Sequence, residues 1–178
     1  MAQSGEERRQ QVLSYVKHQA EKDIADIKVL VQEEWGRLQA LIEGLTQAQA
    51  DFRPGPDQWS AAEVVRHLTL SNQRVRDRIA ALARGQAIDV PTRPGTLPSD
   101  EGLPFNEVAQ QFQEVAEEIM AVVDGCDPWA NLDLTSAHGV FGPLNWRQWL
   151  AFLRVHGRDH SQQVEGIKNA PAFPGSQS

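Results

Sequence analysis

The chain has 178 residues, 40% of them hydrophobic and 23% charged, which fits one globular domain and excludes disorder along its whole length. Seventeen Lys and Arg against 24 Asp and Glu leave a formal charge of −7, so a polyanion meets repulsion and no nucleic-acid partner is expected. The one cysteine, Cys126, allows no internal disulfide; with no signal-like segment at residues 1–10 and no apolar run near the ~20 residues of a membrane span, a cytoplasmic protein with no membrane partner is expected.

Between Leu13 and Leu45 apolar residues recur at steps of three and four, through Val16, Ala20, Ile24, Ile27, Val31, Trp35, Leu38 and Ile42. This spacing predicts one long amphipathic helix, or two nearly collinear ones, with Gly36 as the weak point inside it. After a turn-rich stretch at 52–57, Ser60 and Glu63 have capping-box spacing, and Trp59 and Val64 hold the two positions of a hydrophobic staple. A second helix therefore starts at Ser60, continues through Val64, Leu68, Val75, Ile79 and Leu82, and stops at Gly85.

Residues 85–104, with Pro91, Pro94, Pro98 and Pro104, are long for a loop between adjacent antiparallel helices and suit a crossover to the other end of a bundle. A third helix is predicted over 106–124, through Val108, Phe112, Val115, Ile119 and Val122, closed by Gly125. A fourth begins at Asn145, where Gln148 completes a second capping box, and ends near Lys168. No segment alternates with a convincing period of two, no internal repeat is present, and residues 170–178 read as a disordered tail. Four helices make an all-α four-helix bundle.

On the last helix the apolar stripe centres on Trp149, Leu153, Val164 and Ile167, with His160 in its middle and His156 about 40° to one side. Imidazoles at i and i+4 lie one above the other and can converge on one ion. His67, on the flank of the second helix at a matching depth for antiparallel packing, is the candidate third ligand. The competing reading is three unrelated core histidines hydrogen-bonded to carbonyls.

Among the other polar residues, His18 reads as surface, and His138 as a turn residue or a pocket-mouth residue. Glu63 is explained by its cap, with a fourth-ligand or base role as the competing reading, and Gln163 is either a boundary residue or a partner that orients a ligand. Cys126, in a turn beside Asp127, is expected to have a raised pKa and no nucleophilic role. Arg66, Arg74, Arg76, Arg78 and Arg84 read as a solvated face.

Three segments together resemble the DinB/YfiT-like superfamily of metal-binding four-helix bundles. They are W-S-x-x-E-V-x-x-H-L from Trp59 to Leu68, Phe141-Gly142-Pro143 leading into the last helix, and H-x-x-x-H-x-x-Q from His156 to Gln163. The resemblance implies an up-down-down-up bundle with the long crossover between its second and third helices. The resemblance covers roughly Ile24 to Lys168 and leaves the residues before it as an extension of the first helix, so residues 1–168 are read as a single domain with an extended first helix, followed by a 169–178 tail. It places the family's metal triad on His67, His156 and His160. Some relatives act on thiols, so a metal-dependent thiol transferase or hydrolase is implied, with a small-molecule substrate of which the low-molecular-weight thiols are the class the resemblance suggests.

Three histidines on one side of a divalent ion leave its other positions open, which suits chemistry; zinc or nickel rank ahead of iron or copper. A non-catalytic metal-stabilised bundle that binds or senses a small molecule is the alternative. Two further expectations concern shape. The overhang of the first helix, beyond what the other helices cover, should be buried in a homodimer. The metal should face a pocket at the end where the second helix starts, with Trp59 in its wall.

Overall fold

The structure, a computed structural model, describes residues 5–88 and 102–175. Its elements in chain order are α1 (Gly5–Ala20), α2 (Ile24–Ile42), α3 (Gln47–Ala50), α4 (Ala61–Ala83), α5 (Phe105–Asp124), β1 (Ser136–His138), β2 (Gly142–Leu144) and α6 (Trp146–Lys168). The bundle consists of α2, α4, α5 and α6, and specific side-chain pairs fix the direction of each helix. Arg37 pairs with Glu165 at 2.9 Å near the C-terminal ends of α2 and α6, while Arg147 at the start of α6 reaches the Lys22 carbonyl just before α2. Those two helices are therefore parallel. His67 near the start of α4 meets the later part of α6, and Arg78 near its end meets Trp149, so α4 runs antiparallel to α6.

Two contacts make α5 run alongside α4 in the same direction: Arg76 pairs with Glu118, and Asn131, soon after α5, donates to the Ala83 carbonyl at the end of α4. Lys28 pairs with Asp124, which sets α2 and α5 antiparallel. Up-down-down-up is the result. Of the crossover, Pro91, Pro94 and Pro98 lie outside the described residues.

The local signals used for α4 and α6 are realised in the side chains. Ser60 and Glu63 form a reciprocal capping box, as do Asn145 and Gln148, each supplying two bonds to amides that a helix start leaves unpaired. Gly85 takes a φ of +77°, the left-handed conformation that ends α4 at no steric cost. Gly125 also caps its helix, but in the right-handed region, with φ −85° and ψ 0°.

The expected long first helix is broken. Asp23 adopts an extended conformation, with φ −54° and ψ 143°, and its side chain accepts from Ala25 N, so α2 starts afresh there, while Gly36 lies inside an unbroken helix. Helix α1 turns back along α6 in the opposite direction: the Arg147 Nε donates to Ala20 O at 2.8 Å, Arg154 lies over the Tyr15 ring, and Arg8 faces Asp159 at 3.9 Å. This buries Val16 and Ala20 against the bundle. Burying a valine is worth roughly 1.5–3 kcal/mol, which a collinear helix projecting into water would forgo. The overhang that motivated a homodimer is therefore already covered within the chain.

Two further corrections concern the short elements and the tail. The chain contains an antiparallel hairpin, with His138 opposite Gly142 and Ser136 opposite Leu144, where no strand was expected. Residues 169–175 lie against the bundle, with Phe173 buried edge-on to Phe52 at 5.6 Å and Gln49 donating to Pro174 O. Only residues 176–178 of the tail lie outside the described residues. No described helix is long and apolar enough to cross a membrane.

Candidate metal centre

The capping box at Ser60 sets the phase of α4 and so delivers His67 on its second turn, while α6 carries His156 and His160 one turn apart. The three rings converge. His156 Nε2 lies 3.3 Å from His67 Nε2 and 3.2 Å from His160 Nε2, and the ligating nitrogens of all three fall within 4.8 Å of one another. Two metal–nitrogen bonds of about 2.0–2.1 Å at a tetrahedral angle separate their nitrogens by about 3.3–3.4 Å, so this spacing suits a divalent ion. None of the three imidazoles bonds a backbone carbonyl among the described residues, unlike the expectation for unrelated core histidines.

The protonation chemistry agrees with the geometry. His160 Nδ1 pairs with Gln163 Oε1 at 2.9 Å; the amide oxygen accepts, so the ring proton sits on Nδ1 and the Nε2 lone pair faces the other histidines. Burial lowers the pKa of His67 to about 4, assisted by the nearby charges of His160 and Arg74. Burial also pushes His156 well below its ordinary value and lowers His160, the latter opposed by its bond to Gln163. Neutral imidazole is the form that binds metal. His156 is held by packing, stacked on Phe152 at 5.3 Å, and its buried Nδ1 has no partner among the described residues.

A cavity of about 430 Å³ opens beside His67 and His156, within the usual range for small-molecule sites. It extends along the later part of α4, past Arg74 and Arg78, and along the earlier part of α6, past Trp149 and Phe152. The hairpin supplies His138 and Phe141, and α1 supplies Arg8 and Val12. This is the opposite direction from the expected pocket at the start of α4. Trp59 does not line the cavity; it packs on the histidines instead, parallel to His160 at 6.3 Å and tilted over His67 at 5.1 Å.

The sequence model of the DinB superfamily matches residues 30–164, which include α4, α5, the hairpin and all three histidines. The chain belongs to the DinB superfamily. Among its relatives is the uncharacterised protein YuaE of Bacillus subtilis (strain 168), 23% identical over 152 residues, which cover 76% of this chain and 91% of YuaE. Two solved structures share the fold. TT2238, a four-helix bundle protein, has a TM-score of 0.63 at 18% identity, covering 80% of this chain and 98% of its own. YfiT from Bacillus subtilis, described as a probable metal-dependent hydrolase with an unusual four-helix bundle topology, has a TM-score of 0.64 at 14% identity, covering 94% of this chain and 89% of its own. Helix α1 lies outside the DinB match, yet it forms part of the cavity wall.

Other residues of this DinB protein divide clearly. Glu63 is occupied by its cap and by Arg53, and lies outside the cavity lining. Cys126 donates its thiol to Val122 O, and burial raises its pKa, opposed by the nearby charge of Arg84. His18 is exposed. His138, the last residue of β1, closes the hairpin turn and lines the cavity: its Nδ1 accepts from Val140 N and Phe141 N at 3.0 and 3.2 Å, so its proton belongs on Nε2. Its ring packs among Phe141, Trp149 and Phe152.

The arginines of α4 do not form the solvated face expected from the sequence. Arg76 pairs with Asp77 and Glu118, whereas Arg74 and Arg78 line the cavity. The signal was present in the helical arithmetic, since positions seven and eleven residues after His67 fall within about 20° of its direction.

These shifts predict the pH response of the metal-free protein. Burial also brings His138 to about 4, helped by Arg78, so both His67 and His138 stay neutral in the fold down to about that pH. An unfolded chain takes up those protons near the ordinary histidine value of about 6.5, and the proton excess of the unfolded state lowers stability as pH falls from about 6.5 to about 4. Thermal melts of chelator-treated protein should show the midpoint falling steadily between pH 7 and 5, where carboxylates contribute little. A midpoint constant over that interval would contradict the burial of neutral histidines.

Proposed function

We propose that this chain is a metal-dependent enzyme that acts on a small molecule in the cavity, by hydrolysis or by transfer of a thiol. The observation that carries this reading is the convergence of three imidazoles, two of which, His67 and His156, stand at the wall of a cavity. The shared fold of YfiT, described as a probable metal-dependent hydrolase, supports it. His67, His156 and His160 are the proposed ligands, zinc or nickel the preferred ions, and iron or copper the next. When bound, such an ion supplies Lewis acidity.

The remaining groups have positioning roles. Gln163 fixes the tautomer and orientation of His160 by accepting a hydrogen bond from its Nδ1–H. His138, with its proton on Nε2, is a neutral hydrogen-bond donor in the cavity wall, and Trp149, Phe152 and Val155 present the apolar surface that excludes water.

Elemental analysis of protein purified without chelators tests the first half of the proposal; about one divalent ion per chain is expected. Turnover is then measured with ester substrates and with a low-molecular-weight thiol plus an aromatic electrophile, on loaded and on chelator-treated protein. Metal-dependent turnover in either assay supports the enzyme reading. Failure to bind any of the four metals after reconstitution would remove it, and full loading without turnover in both assays would favour the non-catalytic bundle that binds or senses a small molecule.

A further inference from the structure

The ionic lining of the cavity is one-sided. Four arginines, Arg8, Arg9, Arg74 and Arg78, face it against one acidic residue, Asp159, although the whole chain carries −7. Asp159 itself lies 3.9 Å from Arg8. Arg74 is the unusual member: it is half-buried, and no carboxylate lies within ion-pairing distance of it among the described residues. Arg76, two residues along the same helix, has both Asp77 and Glu118. A partly desolvated guanidinium without a counter-charge is costly, and here its surroundings make matters worse. Arg78, one turn further along α4, donates to the Arg74 backbone carbonyl oxygen at 3.0 Å while lying over the Trp149 ring, and the two like charges repel each other.

A guanidinium presents donors in a planar fork that matches the paired oxygens of a carboxylate or phosphate. Along the cavity from Arg74 the wall is aromatic and aliphatic, from Trp149 and Phe152 to Val155, and it ends at His67 and His156. Arg74 lies seven residues from His67, about 10 Å of helix rise, which separates the cationic position from the histidines by the length of a small organic molecule.

We propose that the cavity receives an organic anion whose carboxylate or phosphate headgroup sits on Arg74 and whose apolar or aromatic body lies along Trp149, Phe152 and Val155 toward the histidines. The proposal rests on the reading of this cavity as the substrate site, and it deepens that reading by naming the class of molecule. The positive lining also attracts such an anion toward a chain that is otherwise acidic.

The test uses the full chain freed of metal, so that no probe can bind through an ion. Phenylbutyrate, its uncharged isostere phenylbutyramide, and phenethyl phosphate are titrated by calorimetry or by ligand-observed NMR. At least one of the two anions should bind about tenfold or more tightly than the amide, the value of one hydrogen bond to a charged group, and the tighter anion identifies the headgroup. Arg74→Gln should remove the preference, and Arg76→Gln, which deletes an equal charge outside the cavity, should keep it.

Equal affinities for anion and amide would overturn the proposal. So would failure of both anions to bind at about 10 mM, a preference that survives in Arg74→Gln, or one that is lost equally in Arg76→Gln. Zinc titration of the parental protein reads the histidines separately: no anion preference with intact zinc binding refutes only the anion site, and an anion preference without zinc binding refutes only the metal centre.

Discussion

Replacing His156 with alanine should reduce zinc affinity by more than about 100-fold, with the fold retained. Loss of a residue that merely orients a ligand typically costs about 10- to 100-fold in metal affinity, and removing a ligand itself should exceed that. His156 is the position of greatest expected effect because its Nε2 stands 3.2–3.3 Å from both other Nε2 atoms, so its removal leaves the remaining two on different helices without the nitrogen between them. The side chain makes no hydrogen bond to the backbone, only ring contacts such as the stack on Phe152, and the neutral alanine keeps helix propensity. Gln163→Leu should give a smaller loss, in the 10- to 100-fold range, by freeing the His160 ring. Competition titrations against a chromophoric chelator, with circular dichroism as the fold control, measure both. Parental affinity in the His156 variant would eliminate the triad.

Arg147→Met is expected to be the most damaging substitution outside the histidine cluster. Arg147 is 1% exposed, and its guanidinium donates to three carbonyl oxygens, those of Ala20, Lys22 and Pro128. It also lies over the Trp129 ring at 4.1 Å. The first two carbonyls belong to the end of α1 and the turn before α2, where a helix terminus leaves acceptors unpaired. Methionine keeps much of the volume and removes every donor, so buried acceptors lose their partners, at a cost of about 3 kcal/mol. At roughly 2–4 °C per kcal/mol for a chain of this size, the melting midpoint should fall by about 6–12 °C. Proteolysis at residues 21–23 should accelerate, because α1 loses its anchor to α6. A midpoint within about 2 °C of the parent would show that the guanidinium network contributes little.

The helices of the bundle were legible because their boundaries rest on local chemistry. Ser60 with Glu63, and Asn145 with Gln148, satisfy orphan amides within three residues, so the pattern carries the whole interaction. The face of α6 that bears His156 and His160 follows from helical period alone, and His67 could be paired with it by depth. Asp23 shows where period fails: Ala20 and Ile24 continue the spacing of four across the break, and only the cap chemistry of Asp23 marks a new start. The hairpin is too short, at three residues per strand, for alternation to register.

The sequence by itself determined the helices, the face of α6 that bears His156 and His160, and the acidic balance, since each depends on residue type and spacing along the chain. Tertiary structure alone decided the position and character of the cavity. Its walls come from α1, α4, the hairpin and α6, and α1 joins them through contacts with distant residues of α6, among them Arg147, 127 residues after Ala20, at its C-terminal end and Arg154 over Tyr15. Whether Arg74 is a solvated charge or a cavity cation likewise depends on which neighbours lack a carboxylate, and period along a helix carries no information about the charges of the elements packed against it.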